Sequence, residues 1–292
     1  MILVTGATGH FGSEVVDHLL KKGINPNQIS VLVRNTAKAD RLKELGIQIK
    51  QGDYNDYASM IEAFNGVDKL LLVSSNDRQS VENRTKHHKN AILAAQGAGV
   101  KHIVYTSFVR QPGFEKSAIA DFQNSHVESE QYIKESGMEY TILQNAIYAE
   151  MILAFIGDKV AENGTILFPA ESGNASWVLR DELAEAAACI LVTDGHSEKT
   201  YTLTNAESVG FKDIARQISE VVGREIKYQS PETEEFKGIL RKAGVPDLYI
   251  DMFIMWSKAV AQHTMDKTDD TLSQFLGRRP TTVGQFLKQV YG

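Results

Sequence analysis

The residues closest to chemistry stand at the very start of the chain. A short apolar run, residues 2–5, leads into Gly6-Ala7-Thr8-Gly9-His10-Phe11-Gly12, a G-x-x-G-x-x-G spacing. A helical pattern follows, with Val15, Val16, Leu19 and Leu20 on one face. Glycines at this spacing let the chain turn tightly, let a pyrophosphate approach the backbone, and let the helix sit close to the sheet. The helix start then offers free N–H groups and the positive end of its dipole to phosphates. Gly6, Thr8, Gly9, His10, Phe11 and Gly12 are therefore the candidate phosphate-binding residues. Arg34 closes the second apolar run, where an acidic residue would hold the ribose hydroxyls of NAD. A guanidinium there pairs instead with a 2′-phosphate, which points to NADP(H). Lys38 reads as a solvated neighbour.

Further candidates follow from position, because ligands of open α/β sheets gather at the carboxyl ends of strands. Asp53, in Gly52-Asp53-Tyr54, either accepts from an adenine amine or makes a simple turn. Ser74, Ser75 and Asn76 end the fourth run and should border the cofactor ribose. Gln144 and Asn145 end the sixth and Tyr148 follows, where a nicotinamide ring and its acceptor should lie. His126 either donates a proton or caps its helix. Lys116 reads as a solvated loop side chain. His87 and His88 are adjacent and do not share a helix face, so no metal pair is expected, and no metal at all.

One catalytic device is missing. A Tyr-x-x-x-Lys pair uses the lysine to lower the tyrosine pKa for proton transfer. The residues four beyond the tyrosines are Ala58, Ile61, Val109, Ser136, Gln144, Ile152, Asn205, Glu232 and Phe253, and Tyr291 has none. Without a protein acid, hydride transfer suits acceptors that stabilise the resulting charge, such as quinones or cationic dyes, with the protein supplying proximity and a water-poor pocket. The alternative is binding without chemistry.

The elements that position these residues come next. Runs at 2–5, 29–34, 47–51, 69–74, 102–106 and 140–143 read as strands, mostly without polar alternation, as for parallel strands covered on both faces. Helical patterns lie between them, one with Asp56 as N-cap, one carrying Ala91, Ile92, Ala94 and Ala95, and one over 127–136. This alternation predicts right-handed βαβ units in an α/β, doubly wound parallel sheet. Residues 1–150 are expected to form this nucleotide-binding domain. Residues 151–292 form a smaller α+β substrate lobe, partly interwoven with it. There, 165–169, 177–179, 201–204 and 226–228 read as strands, 211–222 and 231–263 as helical, and Thr282 with Gln285 as a capping box. Asn163-Gly164-Thr165 reads as a turn between strands rather than a glycosylation site. The apolar cluster at 252–256, from Met252 to Trp256, reads by default as core, otherwise as a pocket wall or dimer surface.

Composition narrows the classes. The chain has 292 residues, 42% hydrophobic and 23% charged, with a net charge of −6, which argues against nucleic-acid binding. A single cysteine, Cys189, excludes an internal disulfide or a multi-cysteine zinc site. No apolar run reaches the ~20 residues that span a bilayer. Met1 runs directly into Ile2-Leu3-Val4 without a basic leader region, so a cytoplasmic protein is expected.

Val4-Thr5-Gly6-Ala7-Thr8-Gly9, Val33-Arg34-Asn35, Gly52-Asp53-Tyr54 and His126-Val127-Glu128-Ser129-Glu130 resemble the NmrA-like branch of the atypical short-chain dehydrogenases. Tyr140-Thr141-Ile142-Leu143-Gln144-Asn145 with Tyr148, and Arg180-Asp181-Glu182-Leu183-Ala184, carry the same resemblance along nearly the whole chain. Within the branch it is most similar to type 2 NAD(P)H:quinone oxidoreductases and triphenylmethane reductases. The resemblance implies a Rossmann domain, NADP(H), no flavin, and an acceptor cleft. Relatives often carry arginine where this chain has Gln144. The branch also holds non-catalytic NADP(H) sensors that regulate a protein partner, and a nucleoside-sugar epimerase is a further alternative. A homodimer is compatible with all three.

Overall fold

The computed structural model describes residues 1–75, 81–157 and 159–292, with residues 81 and 82 described by their backbone alone. In chain order the elements are β1 (Ile2–Thr5), α1 (His10–Lys21), β2 (Ile29–Val33), α2 (Asp40–Glu44), β3 (Gln48–Gln51), α3 (Tyr57–Phe64), β4 (Lys69–Leu72), α4 (Val81–Gly97), β5 (His102–Phe108), α5 (Ala120–Glu135) and β6 (Glu139–Asn145). Then come β7 (Ile147–Tyr148), α6 (Met151–Ile156), α7 (Val160–Asn163), β8 (Thr165–Leu167), β9 (Asn174–Ala175), β10 (Trp177–Val178), α8 (Arg180–Val192) and β11 (Lys199–Leu203). The chain ends with β12 (Val209–Gly210), α9 (Phe211–Val222), β13 (Lys227–Gln229), α10 (Thr233–Lys242), α11 (Asp247–Ala261), α12 (Thr271–Leu276) and α13 (Val283–Tyr291).

The chain builds two compact units, neither continuous in sequence. The first holds Met1–Phe108, Asn124–Asn145 and Arg180–Thr202; the second holds Val109–Gln123, Ala146–Leu179 and Leu203–Gly292. The chain first leaves the sheet unit at the end of β5, returns to it for most of α5 and all of β6, and returns again for α8 and most of β11.

The first unit carries a seven-stranded sheet ordered β11-β6-β5-β4-β1-β2-β3. The neighbours from β6 to β3 all pair in parallel. β2 and β5 are buried at every residue, because helices cover both faces of the sheet. β3, at the edge, alternates Ile49 with exposed or half-exposed Gln48, Lys50 and Gln51, polar groups that discourage further pairing. On one face Leu3, Leu70, Leu72, Ile103 and Tyr105 pack with Met60 and Phe64 of α3 and Ala91, Ile92 and Ala95 of α4. α1 packs on α8, burying Val15, Val16 and Leu19 on the first helix and Leu183, Ala187 and Ile190 on the second. Each such aliphatic side chain contributes about 1.5–3 kcal/mol on burial.

The second unit is centred on aromatic rings. Phe155 stacks on Phe168 at 4.9 Å, Phe168 meets Phe211 at 4.6 Å, and Trp177 meets Phe211 edge-on at 6.0 Å. The Trp177 indole donates to the Val209 carbonyl at 2.9 Å. Thr282 and Gln285 make both bonds of the capping box that starts α13.

Several expected boundaries shift. The helix expected from 127 begins at Ala120, seven residues earlier. The expected 231–263 helix is two, α10 and α11, because Gly244 takes φ +79° and Pro246 becomes the N-cap of the second. Gly164 joins the short helix α7 to β8 instead of linking two strands; its φ of +71° ends that helix. The 252–256 cluster is mixed: Ile254 is buried, whereas Met252, Phe253, Met255 and Trp256 are only half-buried. Among the described residues no helix is long and apolar enough to cross a membrane.

Candidate functional site

The strand order reverses direction at β1. From β1 the chain adds β2 and β3 on one side, then crosses to β4 on the other. The carboxyl ends of β1 and β4 therefore flank the crevice in which such sheets bind ligands. The glycine turn lies there. Gly6 takes φ +64°, a left-handed conformation that costs glycine nothing, and the Gly9 N–H closes the turn on the Gly6 carbonyl at 2.9 Å. Gly9 is the extended N-cap of α1, with no side-chain cap bond and no acidic residue in the first turn. The helix thus starts with the positive end of its dipole and no acidic side chain in its own first turn.

The other glycines are held by different constraints. A Cβ on Gly12 would lie 2.6 Å from the Gly6 oxygen and 2.9 Å from Ala7 Cα, so the helix presses its backbone against the turn. A Cβ on Gly9 would meet only the Gly6 oxygen, at 3.3 Å, leaving space around it. Thr8 and His10 are exposed beside that space, whereas Phe11 is buried and serves packing.

At the end of β2 the exposed Arg34 guanidinium makes no hydrogen bond or ion pair among the described residues; its carbonyl accepts from Gln51. Lys38 is also exposed. Asp53 makes the turn foreseen as one of its two roles. One oxygen accepts from the Asn55 N–H at 2.8 Å and the Asn55 amide at 3.2 Å, and the other has no partner among the described residues. Tyr54 was not foreseen as a site residue. Its hydroxyl donates to Thr5 Oγ1 at 2.7 Å, tying the exit of β3 to β1, and burial pushes its pKa up to about 12, so it stays a phenol. Its place directly after Asp53 was the available signal.

Past the end of β4 three successive N–H groups leave the ladder, and a side chain accepts each. Val73 donates to Thr5 Oγ1 at 2.9 Å, Ser74 to Thr106 Oγ1 at 2.8 Å, and Ser75 to His88 Nε2 at 2.8 Å. The Ser74 hydroxyl is half-exposed and remains open to a ligand. The Ser75 hydroxyl instead bonds His87 Nδ1 at 3.0 Å. That engagement sets Ser75 apart from Ser74 among the residues expected to border the ribose. Asn76 lies outside the described residues. His87 and His88 do point to different partners, yet both reach Ser75. Among the described residues no cluster of His, Cys, Asp and Glu could hold a metal.

His126 corrects another expectation. It is 1% exposed, its Nε2 lies 3.1 Å from Arg84 Nη2, and its Nδ1 lies 2.8 Å from the Tyr105 hydroxyl. Both of its nitrogens are engaged within the protein. It is not the helix cap, since α5 begins six residues before it. Arg84 and Tyr105 carried no sequence signal beyond their types.

At the end of β6, Gln144 is 9% and Asn145 3% exposed. Both polar atoms of the Asn145 side chain are buried without a hydrogen-bond partner among the described residues. An unpaired buried polar group costs about 1–3 kcal/mol, so a carboxamide with donor and acceptor both open fits a ligand that supplies the complement. Tyr148, half-buried in β7, and Lys116, exposed in a tight turn, belong to the second unit.

An uncapped glycine turn at the switch point of a parallel, doubly wound sheet defines a Rossmann-type dinucleotide-binding fold. The chain belongs to the NmrA-like family, which it matches over residues 1–287. It is 33% identical to quinone oxidoreductase 2 of Escherichia coli (strain K12) over 291 residues, covering 100% of this chain and 99% of that protein. It is 29% identical to the NAD(P)H azoreductase of Xenophilus azovorans over 288 residues, covering 99% and 97%. The Citrobacter sp. triphenylmethane reductase, solved in complex with NADP(H), superposes with a TM-score of 0.92 at 36% identity, over 99% of this chain and 100% of that one.

Proposed function

We propose that the protein is an NADPH-dependent, flavin-independent reductase of quinones or similarly conjugated acceptors. The observation that carries the reading is the uncapped α1 terminus above the open face of Gly9, with the exposed Arg34 guanidinium, without a partner among the described residues, at the end of the neighbouring strand. Triphenylmethane reductase, quinone oxidoreductase 2 and the azoreductase support it as relatives.

Bound NADPH supplies the hydride. The N–H groups of the first turn of α1 hold the pyrophosphate, and Gly9 keeps its space clear. Arg34 pairs with the 2′-phosphate, which an acidic residue there would repel. The second Asp53 oxygen accepts from the adenine amine, and Ser74 faces the ribose. Asn145 offers its amide to the nicotinamide carboxamide or to an acceptor carbonyl, with Gln144 next to it on β6; Tyr148, in the second unit, is a further candidate for the acceptor. The acceptor gains a hydride on one oxygen or ring carbon and a proton from water, giving the hydroquinone, while NADPH leaves as NADP⁺. A hydroquinone anion is stabilised over its ring, so no Tyr-x-x-x-Lys pair is required. The protein's part is orientation and exclusion of water.

The test is steady-state NADPH oxidation across quinones, azo and triphenylmethane dyes, and simple ketones, repeated with NADH and with Arg34→Asp. Quinones should turn over and simple ketones should not. Arg34→Asp should weaken NADPH binding by about 1.5–3 kcal/mol and leave NADH nearly unaffected. No acceptor-dependent rate anywhere on the panel would replace this reading with that of a redox sensor.

A further inference from the structure

Ser75 sits at the centre of a closed ring of buried hydrogen bonds within the first unit. Its N–H donates to His88 Nε2 at 2.8 Å, and its carbonyl accepts from Arg84 Nη1. Arg84 Nη2 reaches His126 Nε2 at 3.1 Å, His126 Nδ1 reaches the Tyr105 hydroxyl at 2.8 Å, and that hydroxyl lies 3.2 Å from His88 Nδ1. The ring thereby returns to Ser75. Arg84 is 7% exposed, His126 1%, and His88 and Tyr105 0%.

The donors fix the protons. A guanidinium only donates, so His126 Nε2 accepts and its proton sits on Nδ1. The Ser75 N–H likewise makes His88 Nε2 an acceptor and places that proton on Nδ1, which also bonds Ser129 Oγ at 2.8 Å. Both imidazoles are therefore neutral, and both point an N–H at the Tyr105 oxygen, which has two lone pairs to receive them. Every ring member is committed, and each bond fixes the orientation of the next.

Burying an arginine and two histidines adds little net stability over an apolar core of the same volume. What the ring does supply is geometry. Val73, two residues before Ser75, lies against the glycine turn, 3.4 Å from where a Gly6 Cβ would stand. Ser74 lies between them. We infer that Arg84 is a positioning residue: through Ser75 and the His126–Tyr105–His88 ring it holds residues 73–75 in one conformation at the β4 side of the crevice. Its catalytic consequence rests on the proposed NADPH reading, since this segment borders the cofactor ribose and so sets the ring beyond it. The phosphate grip lies elsewhere, on α1 and Arg34.

The experiment compares the full-length wild type with Arg84→Gln, Arg84→Lys and Tyr105→Phe. Amide exchange at Ser75 is read by NMR without cofactor. Emission of bound NADPH, NADPH affinity, and kcat and KM with 1,4-benzoquinone are then read separately. In Arg84→Gln the Ser75 amide should exchange at least about tenfold faster while the sheet core keeps its protection. NADPH should bind within about threefold of wild type but with altered nicotinamide emission, and kcat should fall about tenfold or more at nearly constant KM. Arg84→Lys should recover part of the loss, because it restores one of the two bonds that Arg84 makes within the ring, and Tyr105→Phe should reproduce it more mildly. Unchanged Ser75 exchange in a folded Arg84→Gln overturns the inference, as does an equal loss of stability and kcat that lysine does not relieve. A wild type that turns over no acceptor sinks the proposed activity alone, because the exchange readout still decides whether Arg84 holds the segment.

Discussion

Asn145, proposed above to meet the nicotinamide or acceptor, sets stability against ligand binding at a single residue. Its two buried polar atoms, without partners among the described residues, burden the unliganded fold. Asn145→Leu, of similar size and apolar, is therefore expected to stabilise the cofactor-free protein by about 1–2 kcal/mol while lowering turnover. Thermal melting without ligand, set beside kcat, checks this. A variant that melts lower and turns over like wild type would show that the amide is satisfied within the protein. At this scale legibility followed sequence distance. The glycines of the turn are neighbours along the chain, and Arg34 and Asn145 end strands, so position pointed to all of them. The Arg84 ring joins residues 9 to 42 apart through four side chains and the Ser75 backbone. No periodicity or spacing encodes it, and His126, read by itself, gave no sign of the partners that engage both its nitrogens.

At the scale of elements, the turn between β1 and α1 separates two uses of glycine. Gly9→Val should leave the fold nearly intact and abolish NADPH binding, because its side chain enters the space above the turn. Gly12→Val should destabilise the protein itself, by about 1–3 kcal/mol or more, because it drives side-chain atoms into the Gly6 and Ala7 backbone. Urea unfolding and NADPH titration on the two variants separate these outcomes; equal stability losses would mean that the two glycines serve packing alike. The central strands were legible because continuous burial makes continuous apolar runs, and α9 because its period is clean from Phe211 to Val222. β7, β9 and β12 were not, since two-residue pairings carry no period. The early start of α5 escaped because residues 120–126 carry mostly small and polar side chains with no apolar stripe.

At the scale of the whole molecule, acid sensitivity follows from histidines kept neutral. Burial holds the pKa of His88 well below its ordinary 6.5, with Arg84 and His87 adding to the effect, and burial also lowers His102 and His196. A lowered folded pKa means that the unfolded chain takes up protons first. The stability these groups contribute is complete above about pH 6.5 and drains as pH falls toward their folded values. Asp68, held near 2 by Lys101 and the N-terminal ammonium, contributes above its ordinary 3.8 and is lost only in much stronger acid. The melting temperature should therefore fall between pH 7 and 5, before carboxylates titrate, and His88→Gln should flatten that slope. A flat profile over this range would show that the buried histidines titrate alike in both states.

The packing of α1 on α8 has a consequence for the order in which the molecule is made. The apolar face of the first helix, residues 10–21, has its partner in residues 180–192. A ribosome adding about 5–20 residues per second takes roughly 8–30 s to cross that interval. Until then Val15, Val16 and Leu19 emerge without the surface that covers them, in a stretch that also carries the glycine turn. The newborn sheet cannot close when its first six strands are complete; it waits for a helix and an edge strand encoded after the first two segments of another unit. Chaperone engagement in that window, rather than after release, is what such an arrangement calls for.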